Sequence, residues 1–428
     1  MTKVRYPIHS RVLDNGLTVV VSPDPSAPSV AVNLWYDVGS RDEAWGQFGW
    51  AHLFEHLMFQ GSANVGSGEH LNALQSVGGV ANATTWFDRT NYFETVPTGA
   101  LDLALWLEAD RLETLPDALD QANLDTQRDV VKEEKRQRYD NQPYGDAMEH
   151  LVRLAFPDGH PYAHTTIGSM ADLDLATPDG ARDFFRRHYR PDNAVLTLVG
   201  DVKAADGFKK AEKYLGRVPR PGDPGAVRPE QAALPPLTGG PRQELARGDI
   251  PADAINLVWR APARDSAECD AVEAGLSILA DGPASRLEKT LVRERQLAAA
   301  VSASLVELAG GNSLALLSVH VMPGVDPAEA EQALVDAVGE FASGGPTLAE
   351  LDRAKAAAER EWLTTLADFS SRADQLSCYA TFDSPERVNS RLDQRLELAT
   401  ADVRVACAEH IDPAGAGTLV YLKEDADG

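Results

Sequence analysis

Cysteine is scarce and unpaired: Cys269, Cys378 and Cys407 are the only three in 428 residues, and no Cys-x-x-Cys spacing occurs. That excludes a thiolate zinc site and a disulfide framework. Surplus positive charge is missing too. Lys and Arg number 40 against 65 Asp and Glu, a formal charge of −25. Phosphate backbones and anionic membranes are held by basic surfaces, so neither nucleic acid nor membrane is an expected partner. No apolar run approaches the roughly 20 residues of a bilayer span. Met1–Asn15 lacks the apolar run behind a basic start that marks a secretory signal. A soluble, reduced, cytoplasmic protein is expected. Hydrophobic residues at 43% and charged residues at 25% exclude a mainly disordered chain.

The length suits two domains rather than one core. Seven of the 26 prolines crowd between Gly216 and Arg242, where locked φ angles and missing donors forbid a helix or a central strand. The expected division is therefore 1–216, a linker at 217–242, and 243–428. The halves look alike. Val30–Tyr36 and Ala254–Trp259 are both apolar and β-prone, and each leads through small residues into a helical stripe. Further strands are expected at Leu17–Ser22, Ala81–Thr85, Asn91–Val96 and Ala194–Val199. Helices are expected at Trp50–Phe59, Gly68–Gly78, Leu101–Leu115, Gln121–Arg138 and Gly145–Phe156. Strands mixed with helices, without a βαβ beat, give the α+β class. The similar order suggests an internal duplication.

His52-Leu53-Phe54-Glu55-His56 carries the most chemistry. On a helix His52 and His56 stand one turn apart on one face, with Glu55 between them in projection. Two imidazoles so placed can grip one cation and leave a carboxylate to reach a water. Trp50, Leu53, Phe54, Leu57 and Met58 flank them, so the helix is expected to be buried, where a bare carboxylate is costly. The bland alternative is a chance triplet in a core helix. Hydrolytic zinc sites usually have three protein ligands, and Glu133 and Glu134 offer a third. Periodicity does not choose between them, because each has a valine three residues before it, Val130 or Val131.

The run Gly49–Ser62 resembles the inverted zinc motif of the pitrilysin/insulinase family of metallopeptidases, in its short two-domain branch with mitochondrial processing peptidase and bacterial relatives. Further similar segments follow in order: Gly39–Glu43, Gly78–Thr85, Arg128–Glu134, His160–Tyr162 with Ile167 and Gly168, Tyr189–Asn193, and Gly200-Asp201. The second half is covered more weakly, by Gly282–Leu287.

The resemblance implies one zinc ion held by His52, His56 and Glu134, with Glu133 in reserve and Glu55 as general base. It implies two similar domains, each a mostly antiparallel sheet packed with helices, and an endopeptidase acting on peptides or unfolded segments. The peptide would lie as an added strand along Ala81, Asn82, Ala83 and Thr84. Where the family commonly has a glutamate seven residues before the distal ligand, this chain has Gln127. The family's Arg and Tyr that project over the zinc from the second half fall here on Val292 and Ala299, which cannot donate a hydrogen bond. Ala271–Ala280 contains no histidine. The expected assembly is a heterodimer in which a related zinc-free subunit supplies the Arg and Tyr. The alternatives are a non-catalytic peptide-binding scaffold and a self-sufficient homodimer.

Overall fold

Alternating β-branched and apolar residues build two sheets in a computed structural model that describes residues 4–222, 225 and 232–424. The first sheet comprises β1 (His9–Val12), β2 (Thr18–Pro23), β3 (Ser29–Tyr36), β4 (Val80–Thr85), β5 (Thr90–Pro97) and β6 (Ala194–Gly200). Its order is β1-β2-β6-β3-β5-β4. Strands β7 (Arg242–Arg247), β8 (Ala254–Ala261), β9 (Ala298–Val306), β10 (Ser313–Val321) and β11 (Gly417–Lys423) form the second, in the order β7-β11-β8-β10-β9.

The second sheet repeats β2-β6-β3-β5-β4 strand for strand. In each, one parallel pair (β2 with β6, β7 with β11) sits at the same place and every other pairing in the repeat is antiparallel. The duplication is thus one of topology, and the fold class is the α+β arrangement expected. β1, an extra antiparallel strand beside β2, has four exposed residues and carries no alternation from which to read it.

Among the helices of the first half are α1 (Trp50–Leu57), α2 (Glu69–Ser76), α3 (Leu101–Ala118) and α4 (Gln121–Lys135). All four lie where the apolar stripes predict. The α4 segment runs on through a π-helical turn, Arg136–Asp140.

The compact units differ from the contiguous halves 1–216 and 243–428. One comprises Met1–Glu134, Thr165–Arg228 and Glu361–Arg391; the other comprises Lys135–His164, Pro229–Arg360 and Leu392–Gly428. Burial of apolar sheet faces explains the exchange. In the first unit, helix Phe369–Phe382 lays Ala373, Leu376 and Tyr379 against Ala31, Trp35, Val195 and Val199 of β3 and β6. In the second, helix Ala147–Ala155 packs on β8 and β11. Part of the proposed linker, residues 223–224 and 226–231, lies outside the described residues; the flanking Pro219, Pro221, Pro235 and Pro236 are in neither helix nor strand. Among the described residues no helix is long and apolar enough to cross a membrane. The three cysteines are buried and unbridged.

Candidate metal centre

Helix α1 is fixed at its start by features that the sequence shows only as scattered glycines and acids. Gly49, at φ +100°, turns the chain into the helix. The N–H groups of Gly49 and Ala51 donate to the two Glu43 carboxylate oxygens at 2.7 and 2.8 Å. Glu43 is 8% exposed, so a buried anion covers donors that the first helical turn leaves open. Its own position is set by the turn Ser40–Asp42, where Arg41 donates to Asp88 (2.6 Å) and Asp37 (2.8 Å). Gly168 presses on Gly49 from the other side, where a Cβ would lie 2.1 Å from the Gly49 nitrogen. Gly39–Glu43 and Ile167-Gly168 are two of the segments similar to the pitrilysin/insulinase family. Both set the entry of α1.

One turn on, the helix presents His52 and His56. Their Nε2 atoms stand 3.4 Å apart. Glu134, at the end of α4, brings Oε2 to 3.6 Å from His52 Nε2 and 3.3 Å from His56 Nε2. With bonds to zinc of ~2.0–2.1 Å, tetrahedrally placed donors are ~3.3–3.4 Å from one another. Three donors of the types zinc prefers therefore occupy three corners of a tetrahedron of the right size, with the fourth corner left to another ligand.

Glu134 and not Glu133 reaches the two imidazoles, because α4 buries one stripe. Leu124, Gln127 and Val131 are its buried residues, and Val131 is fully buried where Val130 is 43% exposed. Glu134 continues that stripe, while Glu133 is exposed. Gln127 is thus a buried neutral side chain two turns before the carboxylate that faces the imidazoles.

Glu55 lies between the imidazoles in sequence and accepts a 2.6 Å hydrogen bond from the Thr85 hydroxyl on β4. Burial pushes its carboxyl above the usual range. Thr85, His56 and Arg89 pull the other way, and the Glu134 charge adds to the rise. A carboxylate with a raised affinity for protons is a better base than an ordinary exposed one.

The proposed peptide-binding residues lie on β4, at the edge of its sheet. Asn82 is exposed, Ala83 is buried, and Ala81 and Thr84 are half-buried. The Ala83 N–H donates to the Asn82 side-chain oxygen at 2.9 Å. Tyr92 is a core residue, fully buried, with its hydroxyl donating to the Phe54 carbonyl at 3.2 Å.

A second buried group, His70, Glu94 and Glu108, also has metal-ligand composition. Its cation is already supplied: Arg111 donates through Nε to Glu108 at 3.0 Å and stacks over Phe59 and Tyr92. Burial raises the Glu94 carboxyl well above its normal range and, with Arg111, drops His70 to about 2. This network joins α2, β5 and α3. In the second unit, helix Ala267–Ala280 follows β8 as α1 follows β3, and no metal-ligating group occurs there among the described residues. Val292 is half-buried and Ala299 exposed on β9, while Arg293 donates to Pro283 O at 2.6 Å and Arg295 pairs with Glu329.

Three converging donors of zinc-ligand type within a duplicated α+β fold define a class, and comparison with known proteins agrees. Residues 18–168 match the model described as insulinase (peptidase family M16), and residues 176–358 match the one described as peptidase M16 inactive domain. The chain is 30% identical over 426 residues to the zinc protease PqqE of Helicobacter pylori, covering 97% of this chain and 93% of that protein. It is 28% identical over 258 residues to the mitochondrial-processing peptidase subunit beta of Saccharomyces cerevisiae, covering 58% of this chain and 54% of that one. A crystal structure of a protease from Helicobacter pylori matches with a TM-score of 0.91 at 27% identity, over 97% of this chain and 99% of that one. The chain belongs to the M16 family of peptidases.

Proposed function

We propose that this chain is the zinc-bearing subunit of an endopeptidase that hydrolyses peptides or unfolded segments laid along β4. The observation that carries the reading is the set of donor-to-donor distances, 3.3, 3.4 and 3.6 Å, among His56, His52 and Glu134. Those three residues would hold the ion, one per chain. When bound, zinc supplies a Lewis acid that polarises the scissile carbonyl and acidifies a water. Glu55 takes the proton of the attacking water and delivers it to the leaving amine. Thr85 keeps the Glu55 carboxylate aimed from β4, so the base and the peptide-bearing strand are joined by one hydrogen bond. An incoming strand takes over the Ala83 N–H from Asn82, after which backbone bonds supply affinity with little demand on sequence.

Donors over the carbonyl come from a second, related subunit without zinc, because Val292 and Ala299 stand at the positions where the family places them. The yeast relative's name, subunit beta, is consistent with such a partnership. An intact His52, Glu55 and His56 set speaks against a pure scaffold. The test is metal analysis with peptide hydrolysis by the chain alone and with co-expressed family members. One zinc per chain, lost in His52→Ala, with turnover rising sharply on addition of the partner, is expected. Absence of zinc sinks the enzyme reading; full turnover by the purified chain sinks the heterodimer.

A further inference from the structure

Strand β4 is the outer strand of its sheet, and its sequence carries none of the usual guards of an edge. Val80–Thr85 includes no charge and no proline, the devices that keep a further strand off. Its backbone groups alternate as an antiparallel ladder requires. β4 lies against β5 with Val80 opposite Thr95 and Thr85 opposite Thr90. Just past Thr85, the Trp86 N–H donates to the Arg89 carbonyl at 2.8 Å. By alternation Val80, Asn82 and Thr84 also turn their backbone groups to β5, and Ala81, Ala83 and Thr85 turn theirs to the open edge. The Ala83 N–H, bonded to a side chain and not to β5, agrees.

The side chains follow a second alternation. Thr85 meets Glu55 on the α1 face. Val80, Asn82 and Thr84 therefore belong to the other face, and Trp86 continues their register. Val80 is 67% and Trp86 40% exposed. They stand six residues apart, about 20 Å along an extended chain, with the polar Asn82 and Thr84 between them on that face. Trp86 is held in place. Its N–H is spent on Arg89, its carbonyl accepts from the Ser40 N–H at 3.2 Å, and its ring meets the buried Phe87 edge to face at 5.3 Å. Two apolar side chains thus stand in water at the two ends of an open edge, where a neighbouring strand would cover them at a gain in free energy.

We propose that Val80 and Trp86 are specificity-determining residues, and that they select peptide segments with large apolar side chains six residues apart. The assignment rests on the strand-addition reading above and names the substrate class for it. In a strand added antiparallel to β4, residues opposite Ala81, Ala83 and Thr85 exchange backbone hydrogen bonds. Those opposite Val80, Asn82, Thr84 and Trp86 form the other kind of pair, with Cα atoms about 4.5 Å apart and side chains closest. An aromatic or β-branched residue opposite Val80 or Trp86 is then a direct cross-strand neighbour and gains over a small or polar one. A spacing of five or seven sends the second side chain to the α1 face. A spacing of four leaves one of the two opposite Asn82 or Thr84.

The test uses the full chain carrying Glu55→Gln, which stops turnover. Fluorescein-labelled thirteen-residue Ser/Thr peptides carry no Phe, one Phe, or two Phe at spacings of four to seven, and fluorescence anisotropy gives Kd. One Phe should tighten binding about fivefold, because the strand can slide to bring it to Val80 or Trp86. Two Phe six residues apart should tighten it about 25-fold, and two at any other spacing no more than one does. Val80→Thr and Trp86→Gln, both at exposed positions and checked for folding by circular dichroism, should each return the six-spaced peptide to the single-Phe value. Equal affinity at every spacing, or a gain that survives both variants, overturns the assignment alone. Binding of none of these peptides overturns both the assignment and the strand-addition reading.

Discussion

Replacing Glu43 by alanine tests whether α1 is held from its beginning. The change strips acceptors from the Gly49 and Ala51 N–H groups, now bonded at 2.7 and 2.8 Å. Each bond to a charged group is worth about 1.5–3 kcal/mol when its buried partner is left unsatisfied. Loss of a negative charge from a helix N-terminus adds about 0.5–1 kcal/mol. Water entering the vacated volume returns part of this, leaving about 3 kcal/mol. In a unit of roughly 200 residues each kcal/mol moves the midpoint by about 2–4 °C, so Tm should fall by about 6–12 °C. Glu43→Gln keeps one acceptor oxygen and should cost about half. Both imidazoles ride on this helix, so zinc affinity should drop about tenfold, as for loss of a residue that orients a ligand. Scanning calorimetry gives the first quantity and competition with a chromophoric chelator the second. A Tm within 2 °C of the parent with unchanged zinc affinity would refute the claim that this carboxylate sets the helix.

Three further outcomes are expected. Glu134→Gln should abolish stoichiometric zinc in elemental analysis, whereas Glu133→Gln should retain one zinc per chain. Gly168→Ala places a methyl 2.1 Å from the Gly49 nitrogen at φ +66°; chemical denaturation should show a loss of more than about 2 kcal/mol. In the second unit the Arg286 guanidinium, bonded at 2.8 Å, holds the Glu350 carboxyl at about 2 instead of 4.5. This lowered value stabilises the fold above pH ~4.5, by roughly 1–2 kcal/mol after screening, and the contribution is lost as pH falls toward ~2. Arg286→Met should therefore lower the urea midpoint at pH 7 more than at pH 3, and an equal loss at both would contradict the pairing.

Strands and helices of the first unit were legible because their periods are clean: Val30–Tyr36 forms β3 and Trp50–Phe59 covers α1. The choice between Glu133 and Glu134 was not, since a two-residue window gives each a valine. The longer stripe Leu124, Gln127, Val131 would have pointed to Glu134, and only burial shows that it is the inner one. Glu43 reads as one acid among 65 Asp and Glu, because its partners are backbone amides, which leave no mark in a sequence. The exchange of segments between units was hidden for a similar reason: amphipathic helices declare that they must be covered, not which sheet will cover them.

That exchange bears on how the molecule can be divided. Glu361–Arg391 belongs with the first sheet and Lys135–His164 with the second. Severing the chain in the proline-rich middle would therefore yield two pieces, each holding an arm that the other needs. Made separately, both should be insoluble or molten; made together, they should assemble into a nicked but intact protein.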